Sequence, residues 1–132
     1  MEKVCLDTDI IIEYLLNKQE TVQRIAALEK EADIAVTPLV LFELFSIAEA
    51  SEKPEENKKI IAALARRMTV LELGLDVCAE AARLFAEAQK AKKKIELRDL
   101  FVGLVTMQRG YTLFTMNQEG YQEIPGMKLY KE

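Results

Sequence analysis

Of the 22 acidic residues in this chain only five are aspartates, Asp7, Asp9, Asp33, Asp76 and Asp99. Three of these, Asp7, Asp9 and Asp99, fall among apolar residues, where a solvated charge is not expected. Between Lys3 and Glu13 the only charges are Asp7 and Asp9, and from Ile34 through Ala48 the only ionisable residue is Glu43. On a helix as apolar as Leu39-Val40-Leu41-Phe42-Glu43-Leu44-Phe45, a carboxylate must face a core, a cleft or a salt bridge, because an unpaired buried carboxylate is strongly disfavoured. Asp99 opens another apolar stretch, and Thr115-Met116-Asn117 supplies polar ligand types just after Leu113-Phe114. If Asp7, Glu43 and Asp99 converge, their repulsion in a partly dry cleft requires a cation in place or raised pKa values. Oxygen donors without histidine suit Mg²⁺ or Mn²⁺ better than zinc. A metal so held can activate a water and stabilise charge on a phosphodiester under attack.

The elements that must position these groups can be read from periodicity. Val4-Cys5-Leu6 is a short β-prone run ending at Asp7, after which Thr8 or Asp9 can cap a helix carrying Ile10, Ile11, Tyr14 and Leu15. A helix is predicted over about 20–31 and a buried strand at Ile34-Ala35-Val36. Thr37-Pro38 then starts a helix reaching about Ala50, a threonine cap with proline at the first helical position. Residues 51–57 read as a polar connection, followed by a helix marked by Ile60, Ile61, Leu64 and Met68. Val70 to Leu73 is a predicted strand. Cys78, Ala81, Ala82, Phe85 and Ala88 keep helical spacing in the next segment, and Asp99 stands at or near the start of the last long helix, either capping it or serving a site. Gly103, four residues on, is expected to let a backbone or ligand approach Asp99. Short strands are predicted at Leu113-Phe114-Thr115 and from Met127 to Tyr130. Strands alternating with helices indicate a single α/β domain, 1–132, with a largely parallel sheet. In such sheets ligands bind at the carboxyl edge, where Asp7 falls.

Composition removes several chemistries. The chain has 132 residues, a net charge of −4 and no histidine, which excludes Ser-His-Asp and Cys-His catalysis and zincin motifs. Cys5 and Cys78 stand alone, in keeping with a reducing cytoplasm. No apolar run approaches the roughly 20 residues that span a bilayer, and the acidic balance argues against a general DNA-coating protein. Lys90, Lys92, Lys93, Lys94 and Arg98 form the densest basic stretch and directly precede Asp99. Lys92, Lys93, Lys94 and Arg98 are candidates for holding phosphates, and the plainer reading of the lysines is a solvated helix end.

Leu6-Asp7-Thr8-Asp9, Thr37 to Leu44 with Glu43, Leu97-Arg98-Asp99-Leu100, and Leu113-Phe114-Thr115-Met116-Asn117 together resemble PIN-domain nucleases, particularly the VapC-type toxins of toxin–antitoxin pairs. Ile124 to Leu129 resembles that family's closing strand. The resemblance implies a three-layer α/β/α sandwich with a mostly parallel central sheet, and Mg²⁺- or Mn²⁺-dependent cleavage of RNA. It also implies a homodimer and inhibition by a small cognate antitoxin. Asp7, Glu43 and Asp99 match the family's three acids as catalytic and metal-holding residues, Asn117 its fourth metal position, and Asp9 a nearby polar position. Thr115 and Glu96 are accessory candidates, Glu96 without a firm counterpart. Gly120-Tyr121 departs from a frequent histidine-phenylalanine pair, and Gly103 replaces a common alanine. Asn117 in place of aspartate removes one ligand charge, which weakens the hold on a second metal. Two other readings are a haloacid-dehalogenase-type phosphatase using Asp7 as nucleophile, and a non-catalytic binding module on the same fold.

Overall fold

The computed structural model describes residues 1–131. Val4, Cys5 and Leu6 are all buried, so strand β1 (Glu2–Leu6) has the continuous apolar run of a strand covered on both faces. It lies inside a four-stranded sheet with β2 (Ala32–Val36), β3 (Thr69–Val70) and β4 (Thr112–Phe114), in the order β3-β2-β1-β4. Every pairing among the four is parallel, with Val4 opposite Ile34 on one side and Thr112 on the other. The chain therefore winds outward from β1 to β3 and returns to the opposite side of β1 for β4. That reversal beside β1 opens a crevice at the carboxyl ends of β1 and β4, where the Asp7 amide donates to the Phe114 carbonyl at 2.9 Å.

Six helices flank the sheet: α1 (Thr8–Leu15), α2 (Gln19–Glu31), α3 (Pro38–Glu49), α4 (Pro54–Ala65), α5 (Leu75–Lys90) and α6 (Leu97–Gln108). Helix α3 starts as its sequence predicts, with Pro38 at the first position and the Thr37 hydroxyl accepting from the Val40 amide at 3.3 Å. Helix α6, which carries Asp99, is the most deeply packed: Leu100, Val102 and Leu104 have no exposed surface. None of the described helices is long and apolar enough to cross a membrane.

Several local expectations are corrected. Asp7, not Thr8 or Asp9, is the cap of α1, accepting from the Thr8 amide at 2.8 Å; Asp9 lies in the first turn. Proline at residue 54 starts α4, so the polar connection ends earlier than residue 57. The inward stripe of α5 is Val77, Ala81 and Leu84, which leaves Cys78 and Ala82 exposed. Strand β3 has only two residues, as befits a sheet edge, and the stretch 127–130 makes a single parallel bridge, Leu129 with Leu113, instead of a strand. Position 96, not Asp99, is the cap of α6, and the Glu96 side chain makes no capping bond. Gly103 admits side chains and not a ligand: a Cβ there would stand 2.6 Å from Ile124 Cδ1 and 3.3 Å from both Met127 Sδ and Tyr121 Cδ1. Cys5 is buried, which pushes its thiol up to about 12, and both cysteines are unpaired.

Because Thr37 is buried and carries the only side-chain cap of the helix that presents Glu43, Thr37→Ala is expected to cost about 1 kcal/mol. Urea denaturation measures this, and a midpoint equal to that of the parent chain would contradict it.

Candidate functional site

Four segments bring polar groups to the carboxyl edge of the sheet: the turn after β1, the middle of α3, the first turn of α6, and the segment after β4. Asp7, Glu43 and Asp99 do converge there, and what they converge on is Arg98. Its Nη2 donates to Asp7 Oδ1 at 2.6 Å and to Glu43 Oε1 at 2.7 Å, its Nε lies 3.1 Å from both Glu43 oxygens, and its Nη1 donates to Asp99 Oδ1 at 3.1 Å. The guanidinium fork matches paired carboxylate oxygens in a way a lysine ammonium does not. The acids are thus held together by a cation that the chain supplies itself.

Asp7 is the most enclosed member, 2% exposed, and its oxygens are fully engaged. Oδ2 accepts from the Tyr121 hydroxyl at 2.7 Å and the Thr115 hydroxyl at 2.9 Å. Tyr121 in turn accepts from Arg98 Nη1 at 2.6 Å, and the Thr8 hydroxyl donates to Glu43 Oε1 at 2.6 Å while accepting from Arg98 Nη2 at 3.0 Å. Burial pushes the Asp7 carboxyl up, but the hydrogen bonds from Arg98 and Tyr121 outweigh it and hold the group below the ordinary aspartate range. Glu43 behaves the same way: desolvation raises it, and the bonds from Arg98 and Thr8 bring it down. The requirement for a cation is met by Arg98, so neither acid is driven neutral. Tyr121 moves upward, from burial and then from the charge of Asp7.

Asp9 is different in kind. Its Oδ2 accepts from the Met116 amide at 3.1 Å and lies 3.4 Å from the Thr115 hydroxyl. Its Oδ1 is the one buried side-chain oxygen or nitrogen without a hydrogen-bond partner among the described residues. Burial, then repulsion from Asp7, raises its pKa. Asn117 is exposed, with its backbone N–H donating to Thr115 Oγ1 at 3.0 Å. A Cβ on Gly120 would lie 2.6 Å from Asn117 Nδ2 and 2.8 Å from Asp99 Oδ2, so the absent side chain leaves the space that these two groups occupy.

Glu96 is exposed and takes no part in the cluster. Lys92, Lys93 and Lys94 lie exposed in the connection between α5 and α6, with Lys93 3.5 Å from Glu123. Arg98, placed among the phosphate-binding candidates by its sequence neighbourhood, is instead the hub of the acids. Thr8 and Tyr121 were not legible as site residues: Tyr121 lies 114 positions from the carboxylate it binds. The remaining aspartates are structural. Asp33 accepts from Tyr111 at 2.6 Å, and Asp76 pairs with Arg109 at 2.8 Å.

The donor chemistry fits a hard divalent cation, since every converging ligand atom is oxygen and Asp9 Oδ1 is unpartnered. With the guanidinium between them, however, no three acids among the described residues are gathered closely enough to hold an ion.

Asp7 and Glu43 titrate lower in the folded chain than in the unfolded one. Their contribution to stability is complete above the ordinary carboxylate values of ~3.9 and ~4.3 and is lost as the pH falls through the folded values. Asp9 has the opposite sign, so its ionised form costs stability above its raised pKa. Asp9→Asn is expected to raise the melting temperature at pH 7, and the gain should vanish as the pH falls below the titration of Asp9. Melting curves across pH 3–7 check both the sign and the window.

Comparison with known families matches residues 4–126 to the PIN domain. A tRNA(fMet)-specific endonuclease VapC from Shigella flexneri is 25% identical over 128 residues, covering 97% of this chain and 96% of the relative. Ribonuclease VapC2 from Haemophilus influenzae is 26% identical over 129 residues, with 97% and 96% covered. Among solved structures, DNA-bound VapBC from Salmonella typhimurium superposes with a TM-score of 0.85 at 25% identity, covering 98% of each chain. VapBC2 from Rickettsia felis, bound to a promoter DNA fragment, gives the same TM-score at 22% identity, with 97% of each chain covered.

Proposed function

As the chain belongs to the PIN-domain family, we propose that it is a divalent-metal-dependent endoribonuclease, the toxin of a toxin–antitoxin pair working in the cytoplasm. The observation that carries this reading is the meeting of Asp7, Glu43 and Asp99, from three separate elements, on one cationic centre at the sheet's carboxyl edge. Membership of this family leaves the dehalogenase-type reading without support. In addition, both oxygens of Asp7 are tied up by hydrogen-bond donors, a poor state for a nucleophile.

Asp7, Glu43 and Asp99 are the residues to hold Mg²⁺ or Mn²⁺, with Asn117 as a neutral fourth ligand. The metal would supply activation of a water and stabilisation of charge on the phosphodiester. The chain's own groups do the rest. Thr115 and Tyr121 fix the orientation of Asp7 through its Oδ2. Gly120 leaves room beside Asp99 and Asn117. Lys92, Lys93 and Lys94, exposed ahead of the helix that carries Asp99, are assigned to attract the RNA backbone without reading its sequence. At 25% identity the shared property proposed is action on RNA, and the particular tRNA named for the Shigella relative belongs to that protein.

The antitoxin is assigned to an apolar groove of about 250 Å³ between α1, α3 and α4, lined by Ile12, Leu15, Leu16, Leu44, Ile47 and Ile60. Leu16 is 70% exposed and Ile47 52%, which gives a partner helix apolar surface to cover. Phe42, Leu75 and Leu97 are exposed outside that groove, and a second copy of the chain is proposed to cover part of this surface.

Asp7→Asn and Asp99→Asn are expected to lower Mg²⁺- or Mn²⁺-dependent RNA cleavage by at least about a hundredfold, the scale of losing charge stabilisation in a transition state. Circular dichroism should show both variants folded. Cleavage at the parent rate would overturn the assignment. Ile47→Glu should abolish capture of the cognate antitoxin while leaving cleavage unchanged; retained capture in a pull-down would remove the groove as its seat.

A further inference from the structure

The guanidinium of Arg98 has no donor group left over. Nε serves Glu43, Nη2 serves Asp7, Glu43 and Thr8, and Nη1 serves Asp99 and Tyr121. The oxygens it engages, Asp7 Oδ1, Glu43 Oε1 and Asp99 Oδ1, belong to the three carboxylates assigned above to a divalent ion. Two cations cannot share these atoms, because their mutual repulsion in a partly buried site is large.

We propose that Arg98 is the resident cation of this site and that a divalent metal enters by exchange with it. The proposal rests on the reading of Asp7, Glu43 and Asp99 as the metal-holding set, and it says what holds that set together before the metal arrives. Three features support exchange over co-occupancy. Arg98 stands one residue before Asp99 in the first turn of α6, so its long side chain can leave by rotating about its own bonds while the helix and Asp99 stay in place. Its side chain is 30% exposed against 3% for Asp7, so the arginine, unlike the acid, borders solvent. Finally, Glu43 is a shared hinge point: its side chain is 33% exposed and also accepts from Thr8, so it remains anchored when the arginine leaves.

The exchange has a thermodynamic signature. Metal binds only the population in which Arg98 has moved out, so its apparent affinity is reduced by that fraction. Weakening the arginine's hold should therefore destabilise the metal-free protein and tighten metal binding together. Arg98→Lys separates this from a simple change of charge, since it keeps the positive charge and loses the fork.

The experiment is calorimetric titration of Mn²⁺ into the full chain and into Arg98→Lys and Arg98→Gln, with melting curves of each. Both variants should melt lower than the parent without metal. Arg98→Gln should bind Mn²⁺ on the order of tenfold more tightly, in proportion to the competent population it restores, and Arg98→Lys several-fold more tightly. In ¹⁵N NMR of the parent chain, the Arg98 Nε–H resonance, identified by its absence from Arg98→Lys, should be protected without metal and lost to solvent exchange at saturating Mg²⁺. Should Arg98→Gln fail to fold, the lysine variant and this resonance carry the test. Equal Mn²⁺ affinity in the parent and Arg98→Lys, or an Nε–H resonance unmoved at saturating Mg²⁺, overturns the exchange and leaves the metal site standing. Binding in no form of the protein overturns both. Binding in the variants alone supports the exchange in its strongest form.

Discussion

Three carboxylates drawn together at the end of a hydrophobic sheet repel one another unless something positive stands among them, and in this protein that is the Arg98 guanidinium. The rest of the site is organised around that pairing. Asp7 caps α1 and ties the ends of β1 and β4 together, Glu43 is brought in by a helix whose start is fixed by Thr37 and Pro38, and Asp99 is fixed by the most deeply buried helix of the fold. None of these elements places its acid by chance. Each ends or begins at the same edge because every strand of the sheet points the same way. Tyr121 and Thr8 then bridge the arginine and the acids, so the group forms one connected polar network and not three separate ion pairs. Such networks are strong when every member is satisfied, and among the described residues Asp9 Oδ1 is the one buried side-chain polar atom that is not.

The acids and most of the scaffold were legible in the sequence because both depend on contrast with neighbours. A single glutamate in fifteen apolar or neutral residues, or a threonine-proline pair ahead of a hydrophobic run, is a local signal. The sheet edge could be placed for the same reason. What was not legible depends on distance along the chain. Arg98 sits in a lysine-rich neighbourhood and reads locally as a surface cation; only the meeting of α6 with β1 and α3 turns it inward. Tyr121 reads as one more residue of a loosely patterned tail. The glycine beside Asp99 in space is Gly120, whereas helical spacing points to Gly103, which turns out to accommodate Ile124 and Met127.

The corrections at the sheet margins and on α5 share one physical origin. At the sheet's margins, burial is partial and propensity decides little: β3 shrinks to two residues and the 127–130 stretch forms a single bridge. On α5, several apolar residues compete to face inward and the larger Val77 and Leu84 take the position, leaving Cys78 outside. Where sequence contrast is weak, the packing of the finished domain makes the choice.

The sheet order has a consequence for how this chain comes into being. Strand β1 precedes its neighbour β4 by most of the length of the domain, and Asp7 reaches Tyr121 across 114 positions. Contacts of such separation form late and slowly, and a nascent chain lacking residues beyond 112 has neither β4 nor Thr115 nor Tyr121 to orient Asp7. A growing polypeptide of this sequence therefore has no assembled site on the ribosome until β4 and Tyr121 have emerged.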